Sequence, residues 1–252
     1  MKRAALREES QVLAVTDDCE AADGVDRMWD GRSGCVRVRR SLMAAGLVLA
    51  LGAGGVACAS GEEEHADFVG AGEVCGGLFA GPLAEMVEKV TEEKVFFWRD
   101  AKGMERTVAA LKEGYESGRP WASGDDVCKL VPKGGRLGDD AEIGYSIYAP
   151  QDVEDYGPPA GGELYTMGVQ SSVRRGGANL YFECVSPQLD GSGKTPMRIE
   201  GGFGRGKSDA PDTREYRNMN MKILHAVTLK LVKELECENN GGLPKTPVLT
   251  PK

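Results

Sequence analysis

Apolar positions along this chain follow two periods, and the change from one to the other divides it. Leu83, Met86, Val87 and Val90 recur at helical spacing after Gly81-Pro82, where proline suits a first helical turn. Met104, Val108, Leu111 and Tyr115 repeat the pattern until Gly118 and Pro120 stop it. Between them, Val95-Phe96-Phe97-Trp98 reads as a short strand or buried turn. The period then becomes two. Ile143, Tyr145 and Ile147 alternate with Glu142, Gly144 and Ser146, and Tyr165, Met167 and Val169 alternate with Thr166, Gly168 and Gln170. Leu180, Phe182 and Cys184 share a face opposite Asn179, Tyr181 and Glu183, and Met197, Ile199 and Phe203 end the series. Short strands with one polar face predict an antiparallel sheet that is wet on one side.

A last helix is expected from Asp212, with Glu215 as its capping-box partner. Its stripe of Met221, Leu224, Val227, Leu231 and Leu235 is wide enough to cover the dry face of a sheet. Asn239-Asn240-Gly241 ends it, and residues 241–252, broken by Pro244, Pro247 and Pro251, read as a disordered tail. The expected fold is a single α+β domain over residues 75–240. It has an antiparallel sheet of about five strands, N-terminal helices, and a long C-terminal helix packed on one face.

Nothing before residue 75 fits that domain. Arg37, Arg39 and Arg40 precede an apolar stretch, Leu42–Ala57, that falls short of the ~18–20 residues needed to span a bilayer. A basic start, a short apolar core and a small-residue exit make residues 36–57 an export signal. Residues 1–35 carry Glu8, Glu9, Asp17, Asp18 and further acids where a signal has few. They are expected to be a disordered, over-extended gene start. Val56-Ala57-Cys58 resembles a lipobox, in which the thiol of Cys58 accepts a diacylglyceryl group and the cysteine becomes the new N-terminus. Gly55 stands where a larger aliphatic residue is usual, and Ala57-Cys58-Ala59 offers a competing small-x-small site that would release a soluble secreted protein. Residues 58–74, with Glu62-Glu63-Glu64, then read as a lipidated cysteine and a flexible acidic tether. Acyl chains used in pairs, palmitate among them, anchor far more firmly than one.

Composition sets bounds on function. The 252 residues carry a net charge of −8, which supplies no basic footprint for nucleic acid, and only two histidines, which weakens any multi-histidine metal site. Of seven cysteines, Cys75, Cys128, Cys184 and Cys237 remain once Cys19, Cys35 and Cys58 are set aside. An even set in an exported chain reads as disulfides. Four cysteines allow three pairings. Pairing of neighbours along the chain favours Cys75 with Cys128 and Cys184 with Cys237, each 53 residues apart by coincidence, and the core-facing position of Cys184 favours the second pair. Metal binding by these thiols is the weaker reading, because no CxxC pair is present.

Three stretches carry a resemblance. Cys75-Gly76-Gly77 opens the domain, Tyr181-Phe182-Glu183-Cys184-Val185-Ser186-Pro187 lies on a strand, and Leu231 to Cys237 is followed by Gly242-Leu243-Pro244. In these the chain resembles a family of small secreted lipoproteins of actinobacteria, over most of residues 58–252. The resemblance implies anchoring and paired cysteines. It implies no catalytic residues.

Several segments imitate known sites. Gly201 to Ser208 satisfies G-x-x-x-x-G-K-S, but a phosphate loop needs a helix N-terminus directly after its lysine, and Asp209-Ala210-Pro211-Asp212 follows instead. Asp152, Glu154, Gly157 and Glu163 fall at positions 1, 3, 6 and 12 of a calcium-loop count, interrupted by Tyr156 and Pro158-Pro159. Asp125-Asp126 and Asp139-Asp140 read as turns. His225 is the one candidate base for a triad with Ser171, Ser172 or Ser186, none of which stands in a nucleophile elbow. Tyr145, Tyr148, Tyr165 and Tyr181 line either a ligand groove or the core.

The sequence therefore carries two functional expectations. The preferred one is a non-catalytic lipoprotein on the outer face of the cell membrane, using no cofactor, no metal, no nucleotide and no nucleic acid, and binding an envelope partner or a small ligand. The alternative is an extracytoplasmic hydrolase using carboxylates or His225. An enclosed, apolar surround for His225 would favour the first, and an open pocket shared with a serine and an acid the second.

Overall fold

The computed structural model describes residues 67–154 and 157–252. The elements run β1 (Phe68–Gly70), α1 (Val74–Gly77), α2 (Pro82–Thr91), β2 (Val95–Phe97), α3 (Gly103–Glu116), β3 (Ala122–Leu130) and β4 (Ala141–Ile147). They continue with α4 (Gln151–Glu154), β5 (Glu163–Tyr165), β6 (Gln170–Arg174), β7 (Gly177–Cys184), β8 (Met197–Gly204) and α5 (Arg214–Glu234), then a 3-10 turn at Glu238–Gly242. β1 and β2 form a small two-stranded antiparallel sheet across α1 and α2, and the other strands form a six-stranded antiparallel sheet ordered β3-β4-β8-β7-β6-β5. The α+β class, the antiparallel sheet and the long C-terminal helix all follow the sequence pattern.

Helices cover the dry face. α3 lies over β3 and β4, and α5 lies over β6, β7 and β8, with α2 packed beside α5. Ile143, Tyr145, Leu180, Phe182, Ile199 and Phe203 point into this core with Leu111, Leu224, Val227 and Leu231 from the helices. Gly201 is required there. A Cβ on it would lie 2.6 Å from the Tyr145 ring and 3.4 Å from Leu224, so the glycine is what lets the ring pass between β8 and α5.

The structure corrects four expectations. Asp125-Asp126 lie inside β3 and not in a turn; the register shifts on both sides of Asp126, and a bulge of this kind breaks the alternation by which a strand is recognised. The run Tyr165–Val169 is not one strand. The chain turns at Gly168, whose φ is +67°, and Val169 is left exposed. The cap of α5 is Thr213, whose side chain accepts from the Tyr216 amide, so Asp212 and Glu215 make no capping box. The disordered tail is not one. Leu243 is buried, Pro251 bridges to Tyr165, and the Lys252 amide donates to the Leu164 carbonyl. Prolines there forbid regular structure without preventing an apolar segment from packing. The tether expectation meets a similar limit, since β1 already pairs with β2 at Phe68. The expected gene start, signal and Cys58 lie outside the described residues.

Two disulfides close the domain, Cys75–Cys128 and Cys184–Cys237. The first ties α1 to β3 and the second ties the end of β7 to the turn after α5. Such bonds fit an oxidising, extracytoplasmic compartment. No described helix is long and apolar enough to cross a membrane.

Candidate binding site

An apolar-lined concavity lies at one end of the sheet, where three irregular segments converge. The end of α3 contributes Tyr115, Arg119 and Pro120. The chain leaving β4 contributes Ile147, Tyr148 and Pro150, and the approach to β8 contributes Pro196, Met197 and Arg198. The cavity has a volume of about 480 Å³, within the size range of small-ligand sites. Its wall is mostly apolar, and the charged residues Glu116, Arg119, Asp190 and Arg198 also line it.

Local geometry holds these segments in place. Gly118 adopts φ +65° and stops α3, and Tyr115 reaches across to donate its hydroxyl to the Thr195 carbonyl at 2.8 Å. Asp152 fixes the other wall, since one carboxylate oxygen accepts from the Ala149 amide at 2.8 Å and from the Trp121 indole at 2.7 Å. Tyr148 is buried edge-on against Tyr181, with ring centroids 5.1 Å apart. Burial and the nearby Glu183 carboxylate push the Tyr148 hydroxyl up to about 12, so it stays a neutral donor at physiological pH.

The open face of the sheet beside this cavity is polar. Asn179 and Tyr181 both donate to one oxygen of Glu200 at 2.8 Å. Gly144, Gly202 and Gly204 leave a shallow groove of about 380 Å³ flanked by Glu142 and Arg174. The tyrosines singled out in the sequence thus divide. Tyr148 and Tyr181 belong to this face. Tyr145 and Tyr165 are core residues, bonded to Thr228 at 2.9 Å and Asn218 at 2.6 Å.

The triad candidates are dispersed. His225 is buried, and its Nε2–H donates to the Pro244 carbonyl at 2.8 Å. Burial lowers its pKa, partly offset by that carbonyl. Ser186 donates to the Leu235 carbonyl at 2.5 Å. Ser171 and Ser172 are successive residues of β6 and therefore face opposite sides of the sheet. The segment that encloses His225 is the C-terminal one read as a tail, which is why the sequence could not show its surroundings.

The calcium-loop count is not assembled either. Asp152 is committed to Trp121 and Ala149, while Glu163 pairs with Arg214 at 3.3 Å and Arg217 at 3.8 Å. No group of three metal-ligating side chains occurs among the described residues. Asp139 closes the turn at Leu137-Gly138, its amide donating to the Arg136 carbonyl at 3.0 Å, while Asp140 follows that turn just before β4 and pairs with Lys129 at 3.0 Å. In the G-x-x-x-x-G-K-S stretch, Gly201–Gly204 are strand, Lys207 donates to the Leu137 carbonyl at 3.1 Å, and the next helix begins only at Arg214. No protein-family model, curated protein or solved structure matches this chain.

Proposed function

We propose that this protein is a non-catalytic, lipid-anchored binding protein of the outer membrane face, holding a small ligand in the cavity between Pro120, Tyr148 and Met197. The observation that carries the reading is that cavity, an apolar pocket formed by segments fixed by their own hydrogen bonds and ringed by charges of both signs. Pockets of this composition bind through apolar burial, with a few polar groups setting orientation. The enclosed His225, whose hydrogen-bond partner among the described residues is a backbone carbonyl, supports binding over hydrolysis. The anchor rests on Arg37 to Cys58 and on the resemblance to secreted lipoproteins, and the disulfides fit the compartment it requires.

An uncharged apolar fluorescent dye, Nile red, tests the pocket. Native protein should bind it saturably, and Pro150→Glu, which sets a carboxylate on the rim, should weaken binding about tenfold without changing thermal stability. Equal dye binding by parent and variant would remove the cavity from the proposal.

A further inference from the structure

A second cavity, of about 710 Å³, lies away from the apolar pocket, under the loop that follows β8. Its walls include Arg136, Arg175, Arg205 and Lys207 on the basic side and Glu92, Glu93, Asp139 and Asp209 on the acidic side. The formal charges balance, but the hydrogen bonds do not. Glu92 accepts from the Ser208 hydroxyl at 3.1 Å, and Asp139 accepts from the Arg136 amide at 2.5 Å. Asp212, also close to Arg205, is bound to Arg217 at 2.7 Å.

Arg205 is left over. Its side chain is 2 % exposed, its Nη2 donates to the Ala210 carbonyl at 3.1 Å, and its Nη1 is buried with no partner. It forms no ion pair with another described residue, and neither does Arg175, the nearby like charge. Asp212 and Glu92 are near enough to favour its charge but neither pairs with it directly, and a buried guanidinium with an unpaired donor is costly. The loop is shaped to keep it there. Gly206 has φ +69°, and a Cβ on it would stand 2.4 Å from the Asp139 carbonyl oxygen.

We infer that this cavity binds an oxyanion group, a phosphate or a carboxylate of a ligand, between the guanidinia of Arg205 and Arg175. A guanidinium presents parallel N–H donors that match two oxygens of such a group. The anion would supply the missing acceptor for Nη1 and separate two like charges. Lys207 adds a third cation at the cavity wall, although its amine already has a carbonyl partner. This chemistry uses side-chain guanidinia and not the helix-terminal amides of a nucleotide phosphate loop, so it stands apart from the motif that Gly201–Ser208 imitates. The site is also independent of the apolar pocket and of the anchor.

Titration calorimetry on the purified full chain tests it, with inorganic phosphate and citrate as probes at constant ionic strength. The expected result is saturable heat with at least one of them, and the probe that binds names the class of group. Arg175→Gln alters an exposed side chain and should preserve the fold while weakening binding about tenfold or more, as removal of a charge-assisted hydrogen bond does. Absence of heat with both probes at millimolar concentration overturns the inference. So does binding that Arg175→Gln leaves unchanged.

Discussion

The hydroxyl of Tyr145, on the interior strand β4, lies 2.9 Å from the hydroxyl of Thr228 on α5, and both side chains are buried. Thr228 donates its own proton to the Leu224 carbonyl at 2.8 Å, so the tyrosine must be the donor between them. With the bonds of Tyr165 to Asn218 and of Asn220 to the Arg174 carbonyl, this bond sets how α5 sits on the sheet, amid the non-directional apolar contacts of the core. Tyr145→Phe should cost about 1 kcal/mol at neutral pH, the usual net worth of such a bond. Burial raises the pKa of the Tyr145 hydroxyl, and that of Tyr148 is raised as well, to about 12. Both therefore hold their protons in the folded state after the unfolded chain has lost them near pH 10. Their stabilisation is full below pH 10 and declines above it, by about 1.4 kcal/mol per pH unit for each tyrosine. Urea unfolding between pH 8 and 11 should show that decline, and a shallower one for Tyr145→Phe; equal slopes would contradict the assignment.

His225 sets the acid limb. Its pKa is lowered by burial, so the folded protein keeps it neutral where the unfolded chain begins to protonate, near pH 6.5. Its contribution is complete above pH 6.5 and is lost as the pH falls towards the folded value. His225→Gln keeps an amide donor for the Pro244 carbonyl but cannot titrate. The loss of stability between pH 7 and 5 should be smaller in the variant. An unchanged acid limb would show that His225 is not what the fold protects from protonation.

The Cys184–Cys237 bond closes a 53-residue separation, worth at most about 4 kcal/mol by restriction of the unfolded chain. Cys184 is fully buried, so Cys184→Ser should lose a few kcal/mol and leave Cys237 as a thiol that alkylates without reductant. The parent protein should show no reactive thiol at Cys75, Cys128, Cys184 or Cys237. Mass mapping of alkylated peptides decides both points.

Anchoring is tested at Cys58. Lipidated protein should partition into detergent, and Cys58→Ser should abolish that, leaving the chain uncleaved or released. A free N-terminus at Ser60 in the parent would refute lipidation, because the competing signal site cleaves there whether residue 58 is cysteine or serine.

What the sequence determined alone was whatever depends on near neighbours in the chain. Helical spacing in Leu83–Val90 and Met104–Tyr115, alternation in Ile143–Ile147 and Leu180–Cys184, and Pro82 in a first turn all report local geometry. Even the cysteine pairing leaned on Cys184 facing the core. β3 escaped notice because its bulge at Asp126 breaks the alternation. The tertiary structure alone decided whatever joins distant residues. Pro244 reaches His225 only because the chain returns along α5, and Tyr115 reaches Thr195 only because α3 ends beside the approach to β8. Arg205 reads in the sequence as one more exposed cation in a glycine-rich loop. It becomes a candidate ligand site only when folding buries its guanidinium and ties Glu92, Asp139 and Asp212 to other partners, since hydrogen-bond satisfaction is a property of the assembled surroundings and not of residue type.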